Sequence, residues 1–239
     1  MRLDVLLARN AGWSRTAARA VIAEGRVRVA GEVVEDPRRD VPEGALPFAV
    51  TVDDAELLLY DRVSLMLNKP TGCVTALRDP QHPTAYALLR GAPLHGELRP
   101  VGRLDLDTSG LLLWSTDGAE IQRLTHPKRA VPRTYQAALA RPFAPLPDKL
   151  VLDDGHEPRV TALGALAREA AHPCLQLAPE AAALAEITIV GGAYHEVRRI
   201  FAALDSHVLG LCRVRFGDVE LPRDLPPGEY RLLPNEARP

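Results

Sequence analysis

The chain alternates short apolar runs with polar turns, and the spacing of those runs predicts its elements. Leu3, Leu6 and Leu7 fall on one face of a short helix that stops near Gly12. Ser14 is placed to cap a second helix over 15–24. Ala17, Ala18, Val21 and Ile22 form its apolar stripe and Gly25 its stop. Residues 26–29 and 32–34, joined at Ala30-Gly31, read as a β-hairpin, and 48–52 as a further strand. Residues 35–47 hold three prolines and mixed charges and read as a loop. A linker is expected over 55–62.

Further strands are predicted over 65–68, 135–140, 186–190 and 208–216. Lys69-Pro70-Thr71-Gly72 reads as a turn, and 78–100, rich in Pro and His, as a loop. Residues 101–114 are two apolar runs around a polar turn. Asp117 is placed to cap a helix over 119–125, and Gly191-Gly192 breaks the chain before a helix over 193–204. Residues 145–185 carry few signals. Strands and helices alternate irregularly, without regular βαβ units or an internal repeat, which points to an α+β fold.

Composition adds limits. With 239 residues, 46% hydrophobic and 25% charged, the chain has the profile of a soluble globular protein. Its apolar runs are too short to span a bilayer, and Asp4 and Arg9 interrupt the N-terminal one, so neither a membrane span nor a signal peptide is expected. A cytoplasmic protein follows as the expectation. Cys73, Cys174 and Cys212 are far apart and form no CxxC, so neither a Cys-rich zinc site nor a disulfide framework is expected. The seven histidines show no HExxH pattern.

The net charge is −2, yet residues 1–31 carry six arginines against Asp4 and Glu24. Arg15 and Arg19 sit one turn apart on the second helix, and Arg26 and Arg28 lie in the hairpin after it. This is either a phosphate-binding face or the solvated surface of an Arg-rich chain that has three lysines in all.

The densest polar cluster is Arg103-Leu104-Asp105-Leu106-Asp107-Thr108-Ser109-Gly110. If residues 103–107 are extended, Arg103, Asp105 and Asp107 point the same way. An arginine beside a carboxylate favours the ionised form, a possible nucleophile or base. An Asx-type turn accounts equally for the cluster and better for Asp107. In Tyr194-His195-Glu196-Val197-Arg198-Arg199 the two arginines lie off the buried stripe of their helix, and His195 reads as a structural hydrogen-bonder at its start. No GxSxG elbow and no P-loop is present.

GRLDLDTSGLLLWSTDG (102–118) resembles the signature of the RsuA-like ribosomal group of pseudouridine synthases. LNKPTG (67–72), RTYQ (133–136), GGAYHEVRRIFAAL (191–204) and GEYR (228–231) resemble that family's other segments, in the family's order. The N-terminal residues resemble the RNA-binding domain named for ribosomal small-subunit protein four. The resemblance implies an RNA-binding domain over 1–54, the linker 55–62, and a catalytic domain over 63–239 with a mixed, mainly antiparallel sheet. It implies conversion of a uridine in RNA to its carbon-linked isomer without cofactor or metal.

By motif match Asp105 is the catalytic aspartate, Arg198 its cationic neighbour and Tyr135 the ring that stacks on uracil. The target base must be flipped out of folded RNA at a cost of a few kcal/mol, so contacts away from the base are needed. Arg2, Arg15, Arg19, Arg26, Arg28, Lys69 and Arg103 are the expected RNA contacts. The chain departs from the pattern in places: Glu196 stands where Gln is expected, Arg198 and Arg133 where Lys is common, and residues 153–185 match poorly.

RLDLDTSGLL together with DPQHPT (79–84) is closer to the small-subunit enzymes, which points to 16S rRNA, naked or in a partly assembled small ribosomal subunit, and to a monomer that needs no membrane. The alternatives are an enzyme acting on large-subunit (23S) rRNA, a non-catalytic RNA-binding assembly factor, and a hydrolase using Asp105 with Asp107. The hydrolase would release free uracil and depend strongly on Asp107.

Overall fold

The computed structural model describes residues 1–234. The expected domain end at 239 therefore runs past the described residues. The chain forms two compact units: Met1–Val63 with Gly91–Leu98, and Ser64–Arg90 with the chain from Arg99 onward.

In the first unit, α1 (Leu3–Ala11) and α2 (Arg15–Ala23) pack on a four-stranded antiparallel sheet. Its strands are β1 (Val27–Val29), β2 (Glu32–Val34), β3 (Phe48–Val52) and β4 (Ala55–Leu59), in the order β2-β1-β3-β4. Leu3, Leu6, Leu7, Ala18 and Ile22 meet Val27, Val50 and Leu59 in one core. Gly12 closes α1 in the left-handed conformation, and the Ser14 side chain caps α2 through the Ala17 N–H.

The residues expected as linker are in part a strand. Val52 pairs with Ala55, and Asp53 and Asp54 turn the chain with φ of 48° and 67°. Two positive φ values make a two-residue hairpin turn whose twist matches the strands it joins, and Asp is among the residues that tolerate it. Arg9 ties α1 to the rest of this unit: it donates to Glu97 at 2.8 and 2.9 Å and to the Asp61 side chain at 2.8 Å.

The second unit is built on a nine-stranded sheet. Its elements are β5 (Ser64–Lys69), β6 (Arg99–Val101), β7 (Thr108–Ser115), α3 (Gly118–Thr125), β8 (Pro132–Leu139), β9 (Val160–Ala165), β10 (Ala183–Val190), α4 (Glu196–Ala203), β11 (Val208–Phe216), β12 (Val219–Glu220) and β13 (Tyr230–Leu232). The main path is β13-β5-β7-β11-β8-β10-β9, antiparallel except where β7 and β11 run parallel. This is the mixed, mainly antiparallel α+β arrangement expected.

β5 and β7 are buried along their whole length, which is why they read as apolar runs rather than alternating ones. Gly110 is required where β7 meets β11. Its φ is 101°, and a Cβ there would lie 2.3 Å from the Arg213 carbonyl oxygen. Asp117 caps α3 through the Ala119 N–H, as its position in the sequence implies.

Two sequence expectations change in this unit. Cys174 and Cys212 form a disulfide, although 38 residues separate them. The loop after β9 lies on β11, and the Ser109 hydroxyl fixes it by donating to the Cys174 carbonyl at 2.7 Å. The helix expected from 193 begins at Glu196, because His195 takes a left-handed φ of 50°. No helix among the described residues is long and apolar enough to cross a membrane.

Candidate active site

The site grows from one turn and the groups that grip it. The Lys69 side chain, at the end of β5, is fully buried. Its ammonium donates to the carbonyls of Thr108 at 2.8 Å, Asp105 at 2.9 Å and Pro70 at 3.0 Å. Burial pushes its pKa down, and the three carbonyls supply the partners that a buried cation needs. The Gly72 N–H donates to the Leu106 carbonyl at 2.8 Å. The Thr75 hydroxyl donates to the Leu104 carbonyl at 2.8 Å and accepts from the Leu104 N–H at 3.1 Å. Residues 104–108 are thereby held as a turn.

That turn sorts the cluster. Arg103 and Asp105 line a cavity of about 60 Å³ together with Thr108, Tyr135, His195 and Arg198. Asp107 lies outside that lining, so the extended arrangement with both aspartates on one side does not form. Tyr135, a buried residue of β8, stands opposite Ile187 of β10 and Arg213 of β11. The three residues expected to be catalytic therefore share one cavity.

The cationic partners differ from expectation. Arg198 Nη2 pairs with Asp107 at 2.8 Å, and Arg198 Nη1 donates to the Val208 carbonyl at 3.3 Å. The side chain beside Asp105 is His195, whose Nε2 lies 3.7 Å from Asp105 Oδ2. Asp105 itself is 41% exposed and His195 37%. The sequence reading gave His195 a structural role. Its place outside the helix rests on the left-handed φ of 50°, which the spacing of a helix expected from 193 does not show.

Glu196 is buried and finds one of its two partners in the poorly matching segment. One carboxylate oxygen accepts from the Ala193 N–H at 2.9 Å, and the other lies 2.9 Å from His156 Nε2. One turn along α4's N-terminal end, Arg199 pairs with Asp153 at 2.6 Å and with Asp154. The His156 amide, followed by Arg199, holds the Asp154 carboxyl below its ordinary value. The turn over 152–157 is thus clasped to the start of α4.

The model for RNA pseudouridylate synthase matches residues 63–203 and the S4 domain model matches residues 1–46. The chain belongs to the RNA pseudouridylate synthase family. It is 36% identical over 239 residues to the ribosomal small subunit pseudouridine synthase A of Haemophilus influenzae, covering 98% of this chain and 96% of that protein. It is 39% identical over 238 residues to that of Vibrio parahaemolyticus, covering 99% and 97%. A crystal structure of a pseudouridylate synthase superposes with a TM-score of 0.58 at 31% identity, over all of this chain and 98% of that one.

Among the expected RNA contacts of this family member, Lys69 is corrected. Its charge is enclosed and spent on three carbonyls, so it positions the Asp105 turn and presents nothing to RNA. Arg103 is exposed at the cavity.

The S4 arginines are organised around Asp4, which is fully buried. Arg2 donates to both Asp4 oxygens at 3.1 and 2.9 Å, Arg19 donates at 2.7 Å, and Arg15 lies 3.9 Å away. Burial would raise the Asp4 carboxyl, but the hydrogen bonds and charges of Arg19 and Arg2 outweigh it and hold it below the ordinary value. Arg26 is paired with Asp53 and Glu24, and the exposed Arg28 donates to the Gly31 carbonyl. The +4 of residues 1–31 is therefore partly neutralised, and Arg15 and Arg28 carry its freest charge.

Among the described residues, His172, Cys174 and Cys212 bring possible metal-ligand atoms within 4.8 Å of one another. The cysteines are joined to each other. His172 Nε2 bonds the Leu221 carbonyl and Nδ1 accepts from the Cys174 N–H, so these donors are already used.

Proposed function

We propose that this protein converts one uridine of small-subunit (16S) rRNA to pseudouridine, with Asp105 as the catalytic carboxylate. One observation carries the reading: Asp105, Tyr135 and Arg198, drawn from three separate elements, line a single cavity. The full-length similarity to small-subunit enzymes supports the choice of RNA. The reaction breaks the bond between C1′ and N1, turns the uracil, and joins C5 to C1′; N1 gains a proton and C5 loses one. Asp105 attacks the anomeric carbon or removes the neighbouring ribose proton. Either role suits a carboxylate that the turn leaves open on one side. Tyr135 stacks on the uracil and stands where the C5 proton departs.

Arg103 contacts a phosphate at the cavity, and Arg15 and Arg28, with Arg2, Arg19 and Arg26, give the S4 domain its attraction for the RNA backbone. The protein acts as a monomer in the cytoplasm, on naked rRNA or a partly assembled small subunit, and its own residues supply the chemistry.

The hydrolase reading needs two carboxylates facing one bond across a defined gap. Asp107 is 66% exposed, lies outside the cavity lining and is paired to Arg198, which favours isomerisation. The test is the product formed on rRNA labelled with tritium at uridine C5. Isomerisation releases tritium to water and no free uracil. Free uracil, with strong loss on Asp107→Asn, would establish the hydrolase instead.

A further inference from the structure

Tyr194 is the most exposed large apolar side chain among the described residues, at 78%. It is not a loose surface ring. Its plane lies on the His195 imidazole, with centroids 3.8 Å apart and planes 19° from parallel. On its inner side His195 faces Asp105 Oδ2 at 3.7 Å and lines the cavity. On its outer side the tyrosine shows its other face to solvent.

The backbone beneath this stack is held from both ends. The Glu196 carboxylate accepts from the Ala193 N–H at 2.9 Å and is itself met by His156 at 2.9 Å. Gly191 lets that carboxylate approach, since a Cβ there would lie 2.9 Å from Glu196 Oε2. The Tyr194 carbonyl accepts from Arg199 Nη1 at 3.4 Å, and Arg199 is anchored on Asp153 and Asp154. A large aromatic surface kept in water on a built frame is already ordered for a ligand, which lowers the entropic cost of binding.

We propose that Tyr194, backed by His195, is a stacking platform for an unpaired nucleobase next to the target uridine. It rests on the reading of Asp105 as the catalytic carboxylate, because that fixes where the target sits. A flipped nucleotide leaves its neighbours unstacked, and aromatic side chains are the usual replacement for a lost base neighbour. Arg103, exposed on the same cavity, supplies the positive charge that a turning phosphate backbone requires. Glu196, His156 and Arg199 act as positioning residues for the platform. This gives a role to the departure at position 196 and to the 152–157 turn.

The test is single-turnover pseudouridine formation on unmodified 16S rRNA transcript, titrated with full-length wild type, Tyr194→Ala, Tyr194→Phe and Tyr194→Trp. Stacking on one base is worth about 1–3 kcal/mol, so Tyr194→Ala should raise the half-saturating enzyme concentration between about fivefold and a hundredfold. The loss should appear in half-saturation rather than in the plateau rate. Phe and Trp, which keep the ring face, should restore tight binding, with all melting temperatures alike. Unchanged half-saturation in Tyr194→Ala, or a Phe variant as weak as Ala, would overturn the platform. Wild type that forms no pseudouridine at all would instead overturn the reading of the reaction, and the platform with it.

Discussion

Asp4 and Asp105 sit in different units, and each draws basic side chains around it, but the two surroundings are opposite. Asp4 is fully buried, with Arg2 and Arg19 hydrogen-bonded to it and Arg15 close by. Asp105 is 41% exposed, and the side chain within ion-pairing distance of it is one imidazole at 3.7 Å. A carboxylate paired in this way organises structure, because both oxygens accept hydrogen bonds and its charge is balanced. A carboxylate whose backbone is gripped while its oxygens are left open can attack or take a proton. The protein spends a buried cation, Lys69, on the Asp105 main chain and leaves the carboxylate open.

Removing each carboxylate should expose this difference. Asp105→Asn should lower the rate of isomerisation by roughly a hundredfold to ten-thousandfold, the range supplied by a positioned acid or base, with little change in melting temperature. Equal activity in a product assay would end the contrast. Lys69→Met should act on both readouts. It strips the donor from three carbonyls, that of Thr108 buried and those of Asp105 and Pro70 partly so, which costs about 3 kcal/mol in stability of the large unit and slows catalysis by loosening the turn. Denaturant melts read the first effect and single-turnover rates the second.

Asp4→Asn should destabilise the first unit by about 2 kcal/mol, a figure reduced because the arginines remain partly solvated. The pH dependence follows from the sign of the shift. The Asp4 carboxyl titrates below its ordinary value in the folded chain. Its stabilisation is therefore present above the ordinary aspartate pKa of about 3.9 and is lost as pH falls below it. A melt of the wild type from pH 6 to 3 should show that loss, and Asp4→Asn should flatten it.

Two smaller effects complete the contrast. Arg15→Ala should weaken binding to 16S rRNA about uniformly across sequences and reduce the salt slope by about one, because it removes a phosphate contact. Asp107→Asn removes an exposed ion pair worth about 0–1 kcal/mol, so activity should stay within about fivefold. A collapse of activity in that variant would mean that Asp107 shares the chemistry.

Much of this was legible in the chain. Ser14 and Asp117 sit before their helices with the capping chemistry that starts them, and both bonds are present. The hairpin at Ala30-Gly31 forms where its turn residues place it. β4 was missed because 55–62 was read as a linker, whereas Asp53 and Asp54 at positive φ make a tight turn that brings the chain back beside β3. β9 was missed because its residues are largely exposed and lack an apolar pattern.

The site's supports were harder. Lys69 reads as a surface cation, and nothing local says that three carbonyls enclose it. Glu196 and His156 stand 40 residues apart, and Cys174 and Cys212 38 apart. Such pairs depend on which loop lies over which strand, and that information is in the tertiary fold rather than in local spacing.

The most direct measurement is a pseudouridine map of unmodified 16S rRNA, naked and with ribosomal proteins bound, after incubation with wild type and with Asp105→Asn. The account predicts a single new pseudouridine with wild type on at least one form of the substrate and none with the variant. The same new site produced by Asp105→Asn, or no site with wild type on either form, would contradict it.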